Sequence, residues 1–119
     1  MRHHLDGRAE RWCDVFEFLY GDVNVFELYA GRPSGWHRHQ YQTDKFFVAE
    51  GEVVVGWWSE DHPPVYLHLH RGARLTIRPN TWHGYEAPNG AVLVMYLDQK
   101  YNPDDEETKP FSEVPWSPT

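Results

Sequence analysis

Between Val15 and Asp98 the chain alternates runs rich in Val, Phe, Tyr and Trp with short breaks containing Gly, Pro or Asn. Few stretches repeat at the helical period, and apolar runs of this length between turn signals predict strands. The predicted strands cover residues 15–20, 23–30, 35–40, 45–50, 53–58, 65–70, 74–77 and 91–98. The breaks carry turn chemistry: Gly21-Asp22, Gly31-Arg32-Pro33, Glu50-Gly51-Glu52, the 59–64 loop, Pro79-Asn80 and Pro88-Asn89-Gly90. Short strands at regular spacing, with no internal repeat, predict an all-β sandwich or closed barrel, which removes the exposed edges of a small open sheet.

After Asp98 the pattern ends. Asn102-Pro103, four consecutive acids from Asp104 to Glu107, and Pro110, Pro115 and Pro118 mark an extension over 101–119, distinct from a barrel over 1–100. Phe111, Val114 and Trp116 predict that the extension is pinned across the barrel or onto a second subunit. With 119 residues the chain suits one domain with one core. Aromatic residues make up 16% of it, enough apolar area to argue against wholesale disorder.

Charge narrows the partners. Lys and Arg number 11 against 18 acids, a formal net charge of −7, which argues against nucleic acid and anionic membrane surfaces. A small anionic ligand stays open, because a few placed Arg or Lys side chains suffice for one. Cys13 is the single cysteine and has no intrachain partner; with no secretory signal pattern, the expected location is cytoplasmic. The longest apolar runs, such as 91–97, are far shorter than the ~20 residues a spanning helix needs.

Candidate chemistry concentrates between Gly31 and Gly51. On an extended strand residues two apart share a face, so His37 and His39 project together, and Asp44 reaches the same face if the next strand pairs beside them. Downstream, Pro79-Asn80-Thr81-Trp82-His83-Gly84 delivers a third histidine from a tight turn. Three histidines arriving from two segments framed by Gly or Pro predict a shared functional pocket.

The run from Gly31 through His37, His39 and Asp44 to Gly51 resembles the first motif of the cupin superfamily, with Asp44 where metal-binding cupins usually carry Glu. Gly72 and the run from Pro79 to His83 resemble the second motif, without its central Gly. The resemblance implies a single-domain cupin β-barrel, that is, a double-stranded β-helix or jelly roll. Within the superfamily, Asp6-Gly7-Arg8, Gly35-Trp36-His37, Trp82-His83-Gly84-Tyr85 and Tyr101-Asn102-Pro103 resemble the dTDP-4-dehydrorhamnose 3,5-epimerases and dTDP-sugar 3,4-ketoisomerases. That branch implies a homodimer and metal-free proton transfer next to the ketone of a nucleotide-linked 4-keto-6-deoxy sugar. His37 would be the base and His39 or His83 its partner, since one imidazole can accept a proton near neutral pH while another donates.

Two positions depart from the branch. The epimerases place a lysine about where Asp44 lies, and their tyrosine acid falls on Met95, leaving Tyr96 as replacement only if its strand is bulged. Arg38, Lys45, Gln42 and Arg78 are the candidate substrate-binding residues, although Arg38 and Lys45 are expected to project away from His37 and Asp44. A second class is a metal-dependent cupin oxygenase or isomerase holding Fe, Zn, Mn or Ni through His37, His39, Asp44 and His83. A third holds a small ligand without turnover. His68 and His70 share one face of a strand without a nearby acid and are expected to be solvated or at an interface; Trp36 and Trp82 are expected to pack away from the pocket.

Overall fold

The computed structural model describes residues 2–3, 10–17, 21–30, 35–99 and 102–118. Asp6-Gly7-Arg8, the start of the first motif at 31–34, residues 18–20 of the first expected strand, and Tyr101 lie outside them. The described chain runs through β1 (Arg2–His3), β2 (Glu10–Glu17), β3 (Asp22–Leu28), β4 (Trp36–Arg38), β5 (Asp44–Ser59), β6 (His62–His70), β7 (Arg74–Ile77), β8 (Trp82–Glu86) and β9 (Ala91–Leu97). A 3-10 turn at Pro103–Asp105 and β10 (Glu107–Lys109) follow. Among the described residues no helix is long and apolar enough to cross a membrane.

The strands pair antiparallel into two sheets that share β5. Its first half pairs with β7 and β9, continuing through β3, β2 and β1; its second half pairs with β6 and β8, continuing through β4 to β10. The sequence predicts two strands here, 45–50 and 53–58, separated by a turn at Glu50-Gly51-Glu52. The structure replaces that turn with a bulge: the register against β9 shifts between Val48 and Glu50. One extra residue inverts the side-chain alternation. Asp44, Phe46 and Val48 therefore face the core before the bulge, and Val53 and Val55 face it after. Gly51 takes φ +79° at this point, and a Cβ there would collide with the carbonyl oxygen of Gly90.

β3 and β9 alternate buried and more exposed positions without interruption, as a strand with one face on a core must. Phe26, Leu28, Phe46, Val48, Val53, Val55, Leu93, Met95 and Leu97 fill the space between the sheets. Outside β4 and β8 lies a second apolar layer. Trp58 and Trp82 stack with ring centroids 5.4 Å apart and planes 14° from parallel. The indole Nε1 of Trp36 donates to the Val114 carbonyl at 2.6 Å, and Phe111 and Trp116 pack on its ring. Gly56 makes this approach possible, since a Cβ there would stand 2.8 Å from the Trp116 ring and 2.9 Å from that of Trp36.

Candidate functional site

β4 and β8 place two histidines by register alone. His37 and His83 are direct cross-strand partners, so their side chains leave the same face of the sheet. The turn that delivers His83 is at Pro79-Asn80, where Asn80 takes φ +62°, and His83 itself is the second residue of β8. His39 lies just beyond β4, two residues from His37. The three rings gather with centroids 4.1 Å apart for His37 and His83, 5.8 Å for His39 and His83, and 5.9 Å for His37 and His39. All three are buried, and one ring nitrogen from each lies within 4.8 Å of the others.

Two of the rings are oriented by backbone carbonyls. His39 Nδ1 donates to the carbonyl of Asp105 at 3.0 Å, and His83 Nδ1 donates to that of Thr81 at 2.9 Å. A proton fixed on Nδ1 leaves the Nε2 lone pair of a neutral ring available on the opposite side. Both Nε2 atoms face one carboxylate oxygen, Asp44 Oδ2, at 3.6 Å from His39 and 3.7 Å from His83. Two ring nitrogens turned toward one carboxylate oxygen suit a shared cation, either a proton or a metal ion.

Asp44 is tuned accordingly. Burial pushes its carboxyl up to about 6, with Asp98 and Glu106 acting in the same direction, while His39 and the Gln42 hydrogen bond oppose the shift. Gln42 Nε2 donates to Asp44 Oδ1 at 2.6 Å, which leaves Oδ2 turned to the histidines. Gln42, expected at a substrate, instead lies buried behind the carboxylate.

No family model and no curated protein sequence matches the chain. Solved structures do match in shape. The capsular polysaccharide assembling protein CapF of Staphylococcus aureus superposes over 90% of this chain with a TM-score of 0.77 at 18% identity. Oxalate oxidase in complex with the substrate analogue glycolate does so over 90% at 0.71 and 18% identity, and the cupin domain of Schizosaccharomyces pombe Cnp3 over 77% at 0.67 and 9% identity. The fold is a cupin barrel. The likeness at these identities concerns fold, and the chain spans 31% of the length of CapF and 58% of that of oxalate oxidase.

Several candidate residues stand apart from the histidines of this cupin barrel. Tyr96 requires correction: β9 pairs with β5 in regular register from Asp44/Leu97 to Phe46/Met95, so no bulge turns Tyr96 inward, and it is exposed opposite Lys45 on the outer face. Lys45 is likewise exposed and points away from Asp44. Arg38 lies over the outer ring of Trp82 at 4.6 Å and pairs with Glu107 of β10 at 3.2 Å. Arg78 is exposed at the rim of a half-open cavity. His68 and His70 lie on exposed positions of β6, His70 beside Glu52 at 3.2 Å.

Sequence reasoning missed three contributors. Tyr85 packs 5.8 Å from His83 and 5.9 Å from His37, and the period-two step from His83 was a usable signal for it. Thr81 acts through its carbonyl, which any residue carries. Asp105 is 66 residues from His39 and sits within an acidic run, so nothing local singled it out.

Proposed function

We propose that this chain is a metal-binding cupin enzyme whose ion is held by His37, His39 and His83, with Asp44 as fourth ligand or as the proton-carrying group beside it. The observation that carries the reading is the convergence of three buried imidazoles, two of them with Nδ1 fixed on carbonyls and Nε2 facing inward. Such outer hydrogen bonds are the usual support of histidine ligands. Three nitrogens and one carboxylate oxygen suit Zn, Mn, Fe or Ni, and a bound ion would supply Lewis-acid or oxygen chemistry. The chain's own part is then clear. Without an ion, burial raises the Asp44 carboxyl to about 6, and beside a bound cation the carboxylate form would be favoured and available as a ligand. Gln42 keeps Oδ2 of that carboxylate directed at the centre, and Tyr85 packs against the rings of His37 and His83.

A second reading uses the same residues without metal, as proton transfer next to the ketone of a nucleotide-linked 4-keto sugar. It is favoured by the close contact of His37 and His83, whose centroids are 4.1 Å apart. Against it, Arg38, Lys45 and Tyr96 do not face the histidines.

Elemental analysis separates the two. Wild-type protein exposed to Zn, Mn, Fe or Ni and then desalted is expected to retain about one ion per chain. His37→Gln and His83→Gln are expected to lose it while keeping the circular dichroism of a β-sheet protein. Wild type without metal, combined with solvent deuterium uptake into dTDP-4-keto-6-deoxyglucose, would instead establish the second reading.

A further inference from the structure

Between β6 and β7 a half-open cavity of about 280 Å³ reaches in to the buried Val55 and Ile77. Val55, Leu67 and Ile77 line it with aliphatic side chains, Trp57 with an aromatic face, and Thr81 and Arg78 with polar groups. Its walls adjoin the candidate centre. Trp57 is the cross-strand partner of His83, and Ile77 is the cross-strand partner of Asp44, so each shares an inward face with a site residue. Thr81, which orients His83 through its carbonyl, belongs to the same wall.

Three properties of this cavity define what it accepts. Its volume lies just below the roughly 300–1,000 Å³ typical of ligand pockets. Its wall is mostly apolar, which favours a body of hydrocarbon or aromatic character. Its one basic side chain is Arg78, with which no carboxylate pairs among the described residues. A guanidinium at the rim of an apolar cavity is suited to one carboxylate, through paired N–H donors.

We infer that the substrate is a small monocarboxylate with an apolar body, its carboxylate held by Arg78 and its body laid against Trp57, Leu67 and Ile77. The centre lies one strand position away from this cavity, behind Trp57 and Ile77, the partners of His83 and Asp44. A nucleotide diphosphate is disfavoured by the same features, since the cavity offers one cation and little room. This inference rests on the metal-enzyme reading only for what happens at the centre; the ligand class follows from the cavity.

Benzoate, benzyl alcohol and dTDP serve as probes, with binding followed by titration calorimetry on metal-loaded and metal-stripped protein. Benzoate is expected to bind both forms and dTDP neither. Arg78→Gln is expected to weaken benzoate about tenfold or more, the loss of a charge-assisted contact, and to leave benzyl alcohol within about twofold. Leu67→Trp, which fills the cavity from a half-buried position, is expected to abolish both. Tighter binding of dTDP than benzoate, or benzoate binding indifferent to Arg78→Gln or Leu67→Trp, overturns the inference. Metal content of the same samples is read in parallel. Benzoate bound as expected by a protein that never holds metal would overturn the metal centre and leave the ligand class standing.

Discussion

Asp44 carries an unusual load for a carboxylate, buried between two imidazole nitrogens and a glutamine amide. Its folded-state value of about 6 lies above the ordinary value of 3.8. Between these two pH values the folded protein binds more protons than the unfolded chain, so this group contributes stability at low pH that is lost as pH rises toward 6. In metal-stripped protein the full effect is of order 1–3 kcal/mol. Asp44→Asn removes the titration, so the melting temperature of the variant relative to wild type is expected to climb from pH 4 to pH 7 and then level off. A difference that stays flat over that range would show the carboxyl to be ionised throughout. The role of Asp44 as a site residue was legible in the sequence because position fixes its face. Its environment was not, because Asp98 and Glu106, which raise it further, come from distant segments.

At the scale of elements, the segment 102–109 ties the histidine strand in place. Asp105 accepts the backbone N–H of Gln40 at 2.9 Å, and those of Tyr41 and Gln42 at 3.2 Å, on its carboxylate. Its carbonyl meanwhile holds His39, and the neighbouring β10 pairs along β4 with Thr108 opposite His37. Asp105→Ala frees the 40–42 backbone and with it the carbonyl that fixes His39. Metal affinity, measured by competition with a chelating dye, is expected to fall about 10- to 100-fold, as for other outer-shell changes at metal sites. Glu107→Ala breaks only the exposed Arg38 pair, is expected to change affinity less than threefold, and removes under about 1 kcal/mol of stability. Equal losses in the two variants would reduce Asp105 to general support. Neither β8 nor β10 was visible as a strand in the sequence. Trp82-His83-Gly84-Tyr85-Glu86 follows a Pro-Asn turn and contains a glycine, while Glu107-Thr108-Lys109 sits among acids and prolines; both acquire strand geometry from a neighbour's unpaired edge.

For the whole molecule the alternation of apolar and polar residues sufficed for the all-β class and for most strands. Arg74–Ile77 is reproduced to the residue, and Ala91–Leu97 to within one. The division into two sheets was not legible, because Glu50-Gly51-Glu52 reads equally as a turn or as a bulge, and only pairing with β9 decides. That bulge leaves one unbroken strand threading both halves of the barrel. A hairpin at this place would have allowed each sheet to loosen separately, but a shared strand makes them a single cooperative unit. Backbone amides of 44–48 and 53–57 are therefore expected to exchange with solvent through the same opening event, at one common free energy. Gly51→Val forces a branched side chain into the left-handed region and against the Gly90 carbonyl. It is expected to lower protection in both halves together by about 2 kcal/mol or more, although only one residue at the seam has changed.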